Sequence, residues 1–334
     1  MTTTPPYVSV AMCTFQGERH LGEQLASIAE QTRRPDELVI FDDRSSDRTL
    51  AIARDFALAA PFEVKIVLND VRLGTVRNFE MAIAACRGEI VLLADQDDLW
   101  YPDKTAVLMA ALEAHPTAGY AFSDADLVGS ELEPLGLRLW KDIGFTGARV
   151  ERFMAGDQLA TMVSGGSFVY GNTMAFRRSH AAPALPISVR SRFMTHDTWL
   201  ALVMSGMGAS GIAVPSPLLQ YRQHPRQQSG VGRRPRLRER LRLALAPRFA
   251  YCAEMAAALT LIRERLAASS RSDVPLALLD DCIEHLRARA AVQSLRGVRR
   301  LSAVAAELRT RRYRRFSTSW RSALKDALIT PSAR

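Results

Sequence analysis

Apolar and polar positions alternate between two periods from residue 7 onward. Residues 7–14 read as a strand, and residues 18–31 repeat apolar side chains at helical spacing through Leu21, Leu25 and Ile28, with Pro35 ending the connection. Residues 37–41 form a second strand, after which Ser46 or Asp47 caps a helix to about residue 59. Residues 63–68 predict a strand, 75–86 a helix and 89–94 a fourth strand. Pro102 stands where the first turn of a helix tolerates proline, and that helix runs to about residue 114, ahead of a strand at 120–123. Four alternations of strand and helix predict an α/β fold whose sheet is mainly parallel and flanked by helices.

The pattern loosens after Asp124. Ser164-Gly165-Gly166, Gly171, Gly206, Gly208 and Gly211 surround a helix at about 195–205 and a strand ending at Tyr221. Irregular glycine-rich loops of this kind carry binding function more often than core. Beyond Gly232 the chain is helical: Leu237, Leu241 and Leu245 share a face among arginines, Pro247 interrupts, and residues 249–268 predict a further helix. The division expected is residues 1–230 as the main domain and 231–334 as a helical extension.

Composition changes this picture in one respect. The 334 residues are 48% hydrophobic and 24% charged, which excludes a disordered chain, a collagen and a small disulfide scaffold. The net charge of +9 is split, because residues 1–230 sum to −5 and residues 231–334 to +14. Cys13, Cys86, Cys252 and Cys282 lack metal-site spacing, no window reaches the length of a membrane span, and no leader is evident. A reducing, cytoplasmic setting is the expectation.

Ligands of a doubly wound sheet lie beyond the carboxyl ends of its strands, and the acidic residues gather there. The second strand runs into Asp42-Asp43-Arg44-Ser45-Ser46-Asp47 and the fourth into Asp95-Gln96-Asp97-Asp98. The first cluster reads equally as a capped turn. The second holds more carboxylates than one cap needs, and they repel one another unless a cation or an array of donors neutralises them. Magnesium takes one or two carboxylates together with substrate phosphates, and neither a P-loop nor a dinucleotide glycine motif offers another route to phosphate. A metal–diphosphate site follows.

The segments 8–18, 41–49 and 93–100 resemble, in order and spacing, the nucleotide-sugar half of family 2 glycosyltransferases of the GT-A fold, and the Asp-Gln-Asp-Asp-Leu-Trp form resembles the rhamnosyltransferase-like branch of bacterial surface-polysaccharide enzymes. The likeness covers about residues 7–230. It implies a GT-A fold with a mixed, mainly parallel sheet, and roles for particular residues. Thr14 and Glu18 would line the nucleoside pocket, Asp43 would accept from the pyrimidine, Arg77 would lie near the nucleotide and Asp95 near the ribose or sugar. Asp97 would hold Mg²⁺ or Mn²⁺ at the diphosphate with His224 as a second candidate, and Asp98 would bind donor sugar or shape its loop. Asp197 would be the general base of an inverting reaction, although on its own it reads as a helix cap. His196 replaces the family's usual glutamate, and its role stays open. Asn172, in a segment resembling the acceptor-side strand, and Arg222 complete the donor and acceptor candidates.

The implied activity is transfer of a sugar from a nucleoside diphosphate, dTDP-rhamnose or a UDP-hexose, to a cell-surface glycan or lipid-linked acceptor. The basic runs at 233–242 and 311–315 read as a solvated helical face or as a peripheral contact with the inner face of a membrane. Nucleic-acid binding lacks a reading motif and stacking aromatics. A basic-tailed adaptor with a non-catalytic sugar-nucleotide sensor is the alternative of a different class; oligomeric state has no sequence signal.

Overall fold

The computed structural model describes residues 6–189, 191, 193–224, 249–269, 275–317 and 321–328. The basic run at 233–242, the leucine stripe at 237–245 and Pro247 lie outside them.

The first half follows the alternation read from the chain: β1 (Val8–Thr14), α1 (Leu21–Ala29), β2 (Glu37–Asp42), α2 (Thr49–Ala59), β3 (Glu63–Leu68), α3 (Thr75–Ala85) and β4 (Ile90–Ala94). Every residue of β2 and β4 is buried, as in strands covered on both faces, whereas β3 alternates and carries charges at its edge. Leu21, Leu25 and Ile28 bury the inner face of α1 completely, each contributing about 2 kcal/mol. After these come β5 (Leu99–Trp100), α4 (Lys104–Ala114), β6 (Ala118–Val128), β7 (Pro134–Arg138), the short helices α5 (Leu139–Asp142), α6 (Ala148–Met154) and α7 (Gln158–Val163), then β8 (Met174–Arg177), α8 (Arg178–Ala181), α9 (His196–Gly206) and β9 (Ser210–Arg222).

Among the described residues the sheet has nine strands in the order β3-β2-β1-β4-β8-β6-β9-β5, with β7 on β6. Strands β3, β2, β1 and β4 are parallel, β8 is antiparallel to both neighbours, and β6 and β9 are parallel. The strand expected at 120–123 is thus the middle of an eleven-residue strand. β9 keeps its pairing despite Pro215 and Pro217 because the register shifts there: Ser123 faces Val214 but Asp124 faces Pro217. One expectation is corrected. Gly171, Asn172 and Thr173 form a 3₁₀ turn ahead of β8 rather than part of a strand.

Among the described residues five further helices follow: α10 (Phe249–Ala267), α11 (Leu276–Ala291), α12 (Gly297–Arg309), α13 (Arg312–Phe316) and α14 (Arg321–Leu328). Leu259, Ile262 and Leu266 of α10 and Leu279 and Ile283 of α11 join the same apolar core as the sheet and α9. Gly206 lets Leu266 approach so closely that a Cβ at this position would overlap it. Phe249, Val292, Val304, Tyr313 and Ala323 make a second, smaller core.

Candidate active site

Thr14 ends β1 beside Asp42, and Met12 pairs with Ala94, so the loops leaving β1, β2 and β4 open on one edge of the sheet. The strand order reverses between β1 and β4, which is where such folds bind ligands. Gln96 joins the two central loops: its amide accepts from Phe15 N at 2.8 Å and donates to Phe15 O at 3.0 Å. A side chain at Gly17 would overlap that amide.

Much of the chemistry of the first acidic cluster is spent on the chain itself. Thr14 Oγ1 donates to Asp42 Oδ2 at 2.7 Å, and Asp42 also holds Ser45. Asp43 Oδ1 accepts from Leu73 N at 2.6 Å and Asn69 Nδ2 at 3.1 Å, and its Oδ2 accepts from Gly74 N at 2.9 Å, leaving a lone pair on Oδ2. This carboxylate shapes the loop from Asn69 to Gly74. Arg72, from that loop, lies over the Phe15 ring at 3.8 Å. Glu18 is exposed and accepts from Arg48 N at 3.0 Å. Arg77 pairs with Glu80 one turn along α3, and Glu80 accepts from Ile187 N at 2.9 Å.

The second cluster is held by donors. Asp98, fully buried, accepts from Asn172 Nδ2 at 2.6 Å and from Arg222 N at 3.1 Å. Lys104, also fully buried, donates to the Asn172 carbonyl and lies over the Trp100 ring at 3.8 Å. Burial pushes the Asp98 carboxyl up to about 7, with Asp97 adding to the rise while Asn172, Arg222 and Lys104 oppose it. Burial brings Lys104 down to about 7 against the pull of Asp98 and Asp95. Asp95 is raised well above the carboxylate range by burial and then by Asp98, Asp97 and Asp197, which places all four carboxylates in one electrostatic neighbourhood. Arg222 is a strap. Its guanidinium donates to the Asp97 carbonyl at 2.7 Å, the Ser130 carbonyl at 2.6 Å and Glu23 Oε2 at 2.5 Å, so its donors are directed at protein groups.

His224 Nε2 lies 2.7 Å from Asp97 Oδ2, and the two side chains keep 14 and 18% exposure. The His20 ring is 5.6 Å from that of His224. Burial, then Arg222 and His224, lower the His20 imidazole below its ordinary range. Among the described residues no group of three or more His, Cys, Asp or Glu could hold a metal ion alone. Asp97 and His224 offer at most two ligands. That donor set fits a hard cation completing its shell with phosphate oxygens and water.

Asp197 opens α9. Its Oδ1 accepts from Thr198 N at 2.6 Å and from the Thr195 hydroxyl, and its Oδ2 accepts from Gly171 N at 2.7 Å. The cap reading is corrected: the helix is capped at Thr195 without a side-chain bond, and Asp197, the second residue of α9, is instead fixed beside Gly171 by these bonds. His196 stacks on Phe79 with centroids 3.9 Å apart, and burial lowers its imidazole. Among the described residues neither of its ring nitrogens has a hydrogen-bond partner.

Lys104 and Gln96 carry structural weight that the sequence reading did not assign. Lys104 was legible in principle: crowded carboxylates require a cation, and it lies six residues past Asp98. Gln96 and His20 carried no comparable signal.

The profile described as glycosyl transferase family 2 matches residues 9–179, just over half of the chain, and the chain belongs to that family. The dTDP-rhamnosyl transferase RfbG of Shigella flexneri is 37% identical over 97 residues, 28% of this chain and 34% of its own. An uncharacterised protein of Mycobacterium tuberculosis is 26% identical over 225 residues, 65% of this chain; the chain spans 59% of that relative's length. S. aureus TarS 1–349 in complex with UDP superposes with a TM-score of 0.55 at 13% identity, covering 96% of this chain and 88% of TarS. The mannosyltransferase PcManGT from Pyrobaculum calidifontis, in complex with GDP-Man and Mn²⁺, gives 0.53 at 18% identity, covering 98 and 87%. The fold is therefore GT-A, as the sequence resemblance implied.

Proposed function

We propose that the protein is an inverting, divalent-metal-dependent glycosyltransferase that moves a sugar from a nucleoside diphosphate, dTDP-rhamnose or a UDP-hexose, to a cell-surface glycan or lipid-linked acceptor on the cytoplasmic side. The observation that carries this reading is the gathering of Asp95, Asp97, Asp98 and Asp197 at the strand-order reversal, with Asp97 touching His224. RfbG favours a deoxyhexose from dTDP, and the UDP of TarS keeps a UDP-sugar open. The Mn²⁺ of PcManGT accords with the fit of Asp97 and His224 to a hard cation.

In this reading the acceptor hydroxyl oxygen bonds to the anomeric carbon as the bond from that carbon to the diphosphate oxygen breaks. The acceptor proton passes to the free lone pair on Asp197 Oδ2, in a carboxylate whose other lone pairs are held by Gly171 N, Thr198 N and the Thr195 hydroxyl. Attack opposite the leaving group inverts the centre. A cation at Asp97 and His224 would supply charge stabilisation to the departing diphosphate. Asp95 faces the ribose or sugar, and Glu18, Arg77 and the Asp43 loop frame the nucleoside. Asp98 and Asn172, bonded to each other, set the depth of the sugar pocket.

Calorimetric titration with UDP, dTDP and GDP, each with Mn²⁺ and then with EDTA, tests the reading. One pyrimidine diphosphate should bind only with metal. Asp97→Ala should remove that binding, and Asp197→Asn should keep it while reducing turnover by about 10³-fold. Failure of every nucleotide to bind sinks the proposal; full turnover in Asp197→Asn sinks the base assignment.

A further inference from the structure

Helices α12 and α14 are packed inside out. In α12 Arg300 and Glu307 turn inward with Val304, while Val298, Leu301 and Leu308 are 78, 51 and 46% exposed. In α14 Asp326 is buried, and Leu324 and Leu328 are 47 and 67% exposed. The spacings put each set on one face of its helix. Both helices pack on the same small core through Val304 and Ala323, and their leucines turn away from it.

The inversion is built rather than accidental, because the inward polar groups are served. Arg289 Nε and the Tyr313 hydroxyl donate to Asp326 Oδ2 at 2.6 and 2.8 Å, and Arg300 Nε donates to the Asp326 carbonyl at 2.6 Å. Glu307 Oε1 lies 2.7 Å from His285 Nδ1. Exposed apolar faces of this kind, ringed by polar residues, mark interaction surfaces.

Charge identifies the occupant. Residues 296–328 hold ten Lys and Arg against two acids, Glu307 and Asp326, and both acids are the buried ones. Arg312 and Arg315 fold back onto Asp281 and Glu284 of α11. Arg296, Arg299, Arg309, Arg311, Arg314 and Arg321 are exposed on the same group of helices, Arg309 and Arg321 beside the leucines of their own helices. We propose that this face docks on an anionic lipid bilayer, with the leucines entering the boundary of the acyl chains and the arginines reaching the headgroup phosphates. A second copy of the chain would bring arginine against arginine. A nucleic acid would satisfy the arginines but leave the leucines in water.

The test is flotation of the full-length protein with vesicles of phosphatidylcholine alone or with about 30% phosphatidylglycerol, at low and high salt. Binding to the anionic vesicles only, weakened by salt, is expected. Leu301→Asp with Leu308→Asp should weaken it at least about tenfold without lowering the melting temperature. Leu324→Asp with Leu328→Asp repeats the test on the second helix, in case the first pair disturbs folding. No binding to anionic vesicles, wild-type binding by both folded double variants, or a wild-type dimer that the Asp variants split would each overturn the proposal. The assay contains no nucleotide or sugar, so its failure leaves the transferase reading untouched.

Discussion

Lys104 is a fully buried amine placed among carboxylates, and burial pushes all of them toward their neutral forms. It donates to the Asn172 carbonyl, lies over the Trp100 face and feels the field of Asp98 and Asp95. Removing one partner from such a buried polar set leaves the others uncompensated. Lys104→Met should therefore cost about 3 kcal/mol of stability, read as a lower urea midpoint at pH 7.5. A midpoint within error of wild type would mean that the carboxylates are balanced by Arg222 and Asn172 alone. At this scale the sequence revealed the identities of the carboxylates but not their obligations. Asp43, Thr14 and Arg222 were legible as candidates because of where they fall in the chain. That their polar atoms are engaged by Leu73, Asp42 and Glu23 depends on residues 28 to 199 positions distant, which no local pattern encodes.

Among the elements, the parallel half of the sheet is tied at the end away from the site. Ser9 Oγ donates to Glu37 Oε1 at 2.5 Å, and Arg87 reaches both Glu37 and Glu63, so β1, β2 and β3 share one carboxylate knot. Burial alone would raise the Glu37 carboxyl; the bonds from Ser9 and from Arg87 outweigh it and hold it below the usual range. A depressed carboxyl stabilises the fold above its unfolded pKa, and that contribution is lost as pH falls through the folded value. Glu37→Gln should cost about 2 kcal/mol at pH 7 and little at pH 3, giving a flatter acid limb in a stability–pH series. An unchanged acid limb would show that the knot adds nothing. Apart from the two-residue β5, the strands and helices before Asp124 were legible because each keeps one helical period or one apolar run bounded by turn residues for its whole length. β7, β8 and β9 were harder. β8 has four residues, β7 is largely exposed, and β9 contains two prolines that ordinarily argue against a central strand.

For the whole molecule, the proposed boundary at residue 230 divides charge more cleanly than it divides packing. The basic extension brings Leu259, Ile262, Leu266 and Leu279 into the core that also holds Trp199 and Leu200 of α9. A chain ending at residue 230 should consequently expose that face of α9, melt several degrees lower and aggregate on heating, as light scattering would record; an unaltered melting curve would establish the body as independent. The same long reach governs how the site comes into being. Asp98 receives a hydrogen bond from a residue 124 positions later, and β5 pairs with β9. At a synthesis rate of about 5–20 residues per second, the acidic loop leaves the ribosome roughly ten seconds before its strap exists. During that interval the nascent chain carries the carboxylates without the arrangement, and a chain released early inherits the motif but not the pocket.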